Sequence, residues 1–228
     1  MLVKNWMSNN VISINIDNSI QDATGLLKQY HIRMLPVVKN DRLVGIITDR
    51  DLKKASASDA TSLEIHELLF LLTKIKIKDI MTQDPITVNP DWTVEETAEL
   101  LLKHKISGIP VVDGKKSVVG VITQTDLFRV LISLTGIETG GIQFGFRIKD
   151  KPGSIKNIAD VIRGFGGKMV SILSSYDKVP DGYRMVYIRM RNIERSRLDA
   201  LKKSFEGKAT LLYMIDHREN LREIFQNK

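Results

Sequence analysis

The chain has 228 residues, 43% of them hydrophobic, with 34 Lys and Arg against 27 Asp and Glu, for a formal net charge of +7. That length predicts one or two domains, and the apolar share suffices for ordinary globular cores. It contains no cysteine, which excludes disulfides, thiolate metal sites and cysteine nucleophiles.

The absence of cysteine fits a reducing compartment. The densest apolar run, residues 68–72, is too short to span a membrane. The opening MLVKNWMSNN lacks a signal-peptide pattern, so a cytoplasmic location without membrane contact is expected. Charge is uneven. Residues 1–141 hold 16 basic and 17 acidic side chains, whereas residues 142–228 hold 18 and 10. The basic C-terminal part could meet nucleic acid or an acidic partner. No run there exceeds two basic residues, so a solvated surface is the preferred reading.

In chain order, residues 11–16 read as a short strand. Ser19 is an N-cap, and Ile20, Ala23 and Leu27 mark one buried helix face. Residues 35–38 and 43–48 read as strands joined by the polar loop Lys39-Asn40-Asp41-Arg42. The phrase GIITDRDL at 45–52 follows, and Asp51 starts a second helix.

The same text then recurs. Met7-Ser8 aligns with Met81-Thr82, Ser19 with Thr93, and Leu35-Pro36-Val37-Val38 with Ile109-Pro110-Val111-Val112. GVITQTDL at 120–127 repeats the closing phrase. The offset is 74 up to the prolines and 75 at the glycines, which places one inserted residue in the second hairpin loop. Such self-similarity marks a duplicated unit. In the second copy residues 86–88 read as a strand. Thr93-x-x-Glu96 is a capping box, and Val94, Ala98 and Leu101 mark the helix face. Residues 109–112 and 117–123 form the hairpin, and Asp126 opens the last helix. Each unit reads β-α-β-β-α.

The closing phrase has two physical readings. Its threonine and aspartate sit at a helix N-terminus, where they cap the helix without any ligand. In the other reading a phosphate is held at that N-terminus and the aspartate accepts hydrogen bonds from a ribose diol. The glycine permits close backbone approach. Candidate residues are Thr48, Arg50 and Asp51 at one site and Thr123, Thr125 and Asp126 at the other. Arg50 supplies a cation that Thr125 lacks.

The Met-Ser/Thr opening, the Pro-Val-Val strand and the Gly-h-h-Thr-x-x-Asp closing resemble the cystathionine-β-synthase (CBS) domain. Two in tandem resemble a Bateman module. The resemblance implies CBS repeats at 1–60 and 79–135 with a linker helix at 61–78. It implies an adenosine nucleotide (AMP, ADP or ATP) as regulatory ligand, with no cofactor. It places the base near Ile32, Arg33 and Met34 and near Ile106, Ser107 and Gly108, with contacts to the site of the other repeat. It also implies a homodimer formed through helices.

After Gly140-Gly141, within a hinge at 136–141, Ile142, Phe144, Phe146 and Ile148 alternate as a half-buried strand. A turn, Asp150-Lys151-Pro152-Gly153-Ser154, precedes a helix marked by Ile155, Ile158, Ala159 and Ile162. That helix ends at Gly164-x-Gly166-Gly167. Residues 169–173 and 185–190 read as strands, Leu198, Leu201 and Phe205 as a second helix, and 211–215 as a last strand. The order βαββαβ is a ferredoxin-like sandwich over 142–216, with a tail at 217–228. The expected class is α+β.

The strand-Asp-x-Pro-Gly-x-Ile-helix start resembles the ACT domain. That resemblance implies amino-acid binding at the loop Asp150, Lys151, Pro152, Gly153 and Ser154. A CBS pair followed by an ACT-like domain resembles the acetoin-utilisation (AcuB) group, which implies regulation of an unknown partner.

Other chemistry finds no support. His31 and His104 sit near matching helix ends without ligand spacing, so no metal site is expected. No Gly-Lys-Ser/Thr loop occurs. An inosine-monophosphate-dehydrogenase chemistry needs a catalytic cysteine and a barrel of about 250 residues. The expected function is a non-catalytic ligand sensor. The alternative is a nucleic-acid-binding regulator, which lacks a helix-turn-helix phrase or stacking aromatics.

Overall fold

The computed structural model describes residues 1–59 and 73–225. Two compact units emerge, residues 1–128 and 129–228.

The first unit contains both repeats. In repeat 1, β1 (Ile14–Asn15) leads to α1 (Ile20–Gln29), then β2 (Met34–Lys39), β3 (Arg42–Thr48) and α2 (Asp49–Asp59). Then α3 (Ile77–Ile80) and β4 (Thr82–Gln83) precede α4 (Val94–His104), β5 (Gly108–Val112) and β6 (Val118–Thr123). The helix α5 (Gln124–Thr135) follows, its residues from Arg129 on belonging to the second unit. Most of the linker helix expected at 61–78 lies outside the described residues; α3 is a separate short helix near its end.

Helix starts follow the capping logic. Ser19 Oγ accepts from Asp22 N at 3.2 Å while Asp22 Oδ2 accepts from Ser19 N at 2.8 Å. That bond, first from the Ser19 backbone and then from its hydroxyl, holds the Asp22 carboxyl below its usual range. Thr93 and Glu96 repeat the arrangement. The α1 face is Ile20, Ala23 and Leu27, as expected. On α4 the buried face is Val94, Thr97 and Leu101, so Thr97 replaces the expected Ala98. Thr97 tolerates full burial because its hydroxyl donates to the Thr93 carbonyl at 2.9 Å.

The expected opening strands are shorter than read. Only Ile14 and Asn15 pair with Val37 and Val38, and of residues 86–88 only Val88 forms a bridge, to Val111. Asn15 and Asn18 side chains capture the backbone N–H groups of Asp17 and Asn15, which turns the chain instead of extending it.

The two repeats exchange their openings. β4 of repeat 2 pairs with β3 of repeat 1, Gly45 facing Gln83 and Ile46 facing Thr82. In the reverse direction, Ser8 bridges to Val121 on β6. The exchange continues through backbone bonds, Ile77 N to Asn18 O and Val3 N to Trp92 O, both at the same offset. Val3 and Ile77 are both fully buried.

The glycine of the repeated phrase belongs to this exchange. A Cβ on Gly45 would sit 2.5 Å from Met81 Sδ, and one on Gly120 would collide with the Met7 side chain. Neither glycine has a positive φ. Each is small so that the methionine opening the other repeat can lie across the strand.

The second unit carries β7 (Ile142–Lys149), α6 (Ser154–Gly164), β8 (Lys168–Ser175) and β9 (Tyr183–Arg191). These are followed by α7 (Leu198–Lys203), β10 (Thr210–Asp216) and β11 (Leu221–Ile224). The sheet order is β11-β10-β7-β9-β8, and every pairing is antiparallel. Without β11, the order β10-β7-β9-β8 is the strand order of a βαββαβ sandwich. Phe144, Phe146 and Phe205 meet edge-on and stacked at the centre of its core. Part of the expected tail is ordered as β11, which runs along β10 with Tyr213 facing Ile224 and Asp216 facing Leu221.

Candidate functional site

The repeated phrase forms two matching helix starts. Thr48 N and Oγ1 both donate to Asp51 Oδ2, at 2.9 and 2.6 Å. Thr123 N and Oγ1 both donate to Asp126 Oδ2, at 2.9 and 2.7 Å. The aspartate N–H returns weakly to the threonine hydroxyl in both, at 3.3 and 3.4 Å. These are the same reciprocal boxes that open α1 and α4. The structure therefore brings Thr48 to Asp51 and Thr123 to Asp126, and it gives each pair a capping role that holds without a ligand. Asp126 is buried, Asp51 half-buried, and Arg50 and Thr125 exposed.

The hairpin register places the other expected residues beside these boxes. Met34 faces Thr48 across β2 and β3, and Gly108 faces Thr123 across β5 and β6. Asp49 N donates to the Arg33 carbonyl at 3.1 Å, and Gln124 N donates to the Ser107 carbonyl at 3.0 Å. Ile32 and Ile106 stand one residue earlier and are partly buried. Gln124, which sequence reading passed over, also reaches the Ile106 carbonyl through its side chain at 3.3 Å. The repeats also meet here: a Cβ on Gly108 would lie 3.0 Å from Met34 Cε and 3.2 Å from Thr123 Cγ2. Met34 of the first repeat thus borders the phrase of the second.

Each assembly offers a carboxylate, a hydroxyl and a helix N-terminus, flanked by apolar side chains. Helix N-termini favour anions. Among the described residues no group of three or more His, Asp or Glu could hold a metal.

In the second unit, Gly153 is the N-cap of α6 at φ +84°, and a Cβ there would meet open space. The glycine is required by backbone conformation, not by close approach. Asp150 lies 3.4 Å from Arg184 Nε and accepts from Tyr176 Oη at 3.4 Å. Lys151 and Pro152 are exposed and Ser154 is buried. Tyr176 and Arg184 carried no sequence signal at this loop; only the sheet brings them there.

The CBS domain model matches residues 3–58 and 77–133. A CBS domain-containing protein of Dictyostelium discoideum is 38% identical over 135 residues, covering 59% of this chain and 93% of the relative. The chain belongs to the CBS-domain family. A crystallised CBS domain pair in complex with 5'-methylthioadenosine and S-adenosyl-L-methionine is 36% identical, with a TM-score of 0.50 over 57% of this chain and 95% of its own. A provisionally named acetoin-utilisation protein (AcuB) of Vibrio cholerae is 28% identical, with a TM-score of 0.51 over 61% of this chain and 96% of its own. The CBS pair also occurs inside enzymes. The chain spans only 21–23% of the length of the inosine-5'-monophosphate dehydrogenases it matches. No helix among the described residues is long and apolar enough to cross a membrane.

Proposed function

We propose that this CBS-domain protein is a non-catalytic sensor whose pair binds an adenosine ligand, AMP, ADP or ATP, and passes the bound state to a protein partner. The observation that carries this reading is the twofold recurrence of the Thr-Asp box beside Met34 and Gly108. A phosphate would meet the helix N-terminus, and a ribose diol would meet the aspartate. The related pair in complex with 5'-methylthioadenosine and S-adenosyl-L-methionine supports the adenosine class. Calorimetry with AMP, ADP, ATP, S-adenosylmethionine, NAD, cyclic dinucleotides and amino acids tests it. Saturable binding of at least one adenosine compound is expected, and a flat response to all of them overturns the reading.

The βαββαβ order and the positive φ at Gly153 support an ACT-like second unit, with the loop at 150–154 as an amino-acid site. Regulation of acetoin utilisation is the physiological context favoured by the Vibrio cholerae relative.

A homodimer is part of the proposal. Helix α5 leaves Phe128, Leu131, Ile132 and Leu134 exposed. Such an apolar row on a soluble helix marks an interface, and a second copy of the helix matches it. Light scattering is expected to give twice the 25.8 kDa chain mass. Leu131→Lys is expected to shift the protein to monomer without unfolding it. A wild-type monomer at micromolar concentration sinks the dimer.

A further inference from the structure

The helix-facing side of the second unit's sheet holds the aromatic core. The alternate positions point to the other face. There the register sets Ser171, Arg189, Gln143 and Ile215 in one row across β8, β9, β7 and β10.

Arg189 is 2% exposed. Its Nε donates to the Thr135 carbonyl and its Nη2 to Gln143 Oε1, both at 2.8 Å. Its Nη1 is buried and has no partner. The ion pairs of the second unit's described residues all use other side chains. A buried guanidinium is normally matched by a carboxylate, because an uncompensated buried charge costs several kcal/mol. A helix-end carbonyl such as that of Thr135 carries only part of a negative charge.

A second orphan follows β10, at the position that alternation from Ile215 assigns to the same face. His217 extends beyond β10 beside Gly141, its N–H donating to the Gly141 carbonyl at 3.3 Å. Its Nε2 is buried without a partner. Burial and then the charge of Arg189 push the His217 pKa down, Arg222 adds to this, and Asp216 opposes it. The register brings the histidine and the arginine to the same region: Gln143 on β7 lies between Arg189 on β9 and Ile215 on β10, and His217 follows Ile215 by two residues. Beside them, Tyr213 Oη accepts from Gln143 Nε2 at 3.3 Å and keeps its own proton to donate. Nη1–H, Nε2–H in the matching tautomer, and the tyrosine O–H make a set of donors that needs an acceptor.

We propose that Arg189 and His217 form a binding site for a small oxyanion, a carboxylate or a phosphate, on the sheet face opposite α6 and α7. One oxygen accepts from Arg189 Nη1 and another from His217 Nε2. The charge of the ion neutralises the guanidinium that the protein leaves uncompensated. This site lies apart from the loop at 150–154 and does not depend on nucleotide binding.

The test uses the full chain. Sodium acetate and sodium phosphate are titrated separately at constant ionic strength against sodium chloride while the His217 ring resonance is followed by NMR, assigned with His217→Gln. A saturable shift is expected with at least one oxyanion, and the bound negative charge should raise the His217 pKa. Response to acetate alone identifies a carboxylate site, and response to phosphate alone a phosphate site. Arg189→Met should abolish saturation while Arg189→Lys retains part of it. Should Arg189→Met not fold, His217→Gln must still weaken oxyanion binding by about tenfold or more in calorimetry. No saturable response to either oxyanion, or one that chloride reproduces, overturns the site and leaves the two orphans to water.

Discussion

Replacing Arg195 with methionine is expected to destabilise the second unit by about 3 kcal/mol, a fall in melting temperature of roughly 12–24 °C. Arg195 grips Asp216 with two bonds, Nε to Oδ2 at 2.8 Å and Nη2 to Oδ1 at 3.0 Å. Asp216 is 1% exposed. Without the guanidinium its charge stays buried, held only by the Arg218 N–H at 3.0 Å and a long bond from the Glu219 N–H. The figure is the lower end of the range for breaking a buried pair, because Arg195 is itself partly exposed.

The pH dependence follows from Asp216. Burial alone would raise its pKa, but the Arg195 bonds and then the Arg218 N–H outweigh burial and lower it. A depressed folded pKa contributes stability above the unfolded value of about 3.9, and that contribution is lost as pH falls through the folded pKa. Arg195→Met removes the Arg195 hydrogen bonds and charge that lower it, so the folded pKa rises. The variant therefore gains less stability than wild type as pH increases from acid to neutral. The gap between wild type and variant, read by chemical denaturation, should therefore be large at neutral pH and narrow toward about pH 3. An equal gap at both pH values contradicts the buried pair as the cause.

Much of the fold was legible because local and tertiary demands agree. Ser19, Thr93 and the Thr-x-x-Asp phrases announce helix starts by capping chemistry alone. Phe144 and Phe146 announce a strand by alternation. The exchange of openings was not legible, since nothing local ties Met7 to Gly120 or Met81 to Gly45. The glycine looked like a backbone device until the methionine across it was visible. Strand β11 escaped for a related reason. Leu221 and Ile224 are both exposed, so no burial pattern betrays a strand. At the candidate site, spacing revealed Thr48 with Asp51 and Thr123 with Asp126. It could not separate cap from ligand, because both uses need the same carboxylate at the same helix turn. Arg189 carried no signal: as one basic residue in an alternating strand, its burial depends on neighbours from other strands and the end of α5.

The double role of the aspartates sets the second large effect. Asp126→Ala removes the acceptor of both Thr123 donors from a buried position, which should cost about 1.5–3 kcal/mol of stability without any ligand. Asp51 is half-buried, so Asp51→Ala should cost about 1 kcal/mol, the usual value of a cap. Alanine therefore disturbs the helix start along with any ligand contact. Asparagine separates the two. It keeps one carbonyl oxygen for the threonine N–H and hydroxyl, but it loses the charge that strengthens hydrogen bonds from a ribose diol. Asp51→Asn and Asp126→Asn are thus expected to melt near wild type. Each should weaken adenosine-ligand affinity at its own site by about 10- to 150-fold, the equivalent of 1.5–3 kcal/mol. The loss should be smaller at the first site, where Arg50 still attracts phosphate, than at the second, where Thr125 offers only a hydroxyl. Calorimetry on the double asparagine variant gives the decisive reading. Wild-type affinity in a protein of wild-type stability would mean that Asp51 and Asp126 serve only to start their helices, and that the phrase recurs because the folding unit was duplicated.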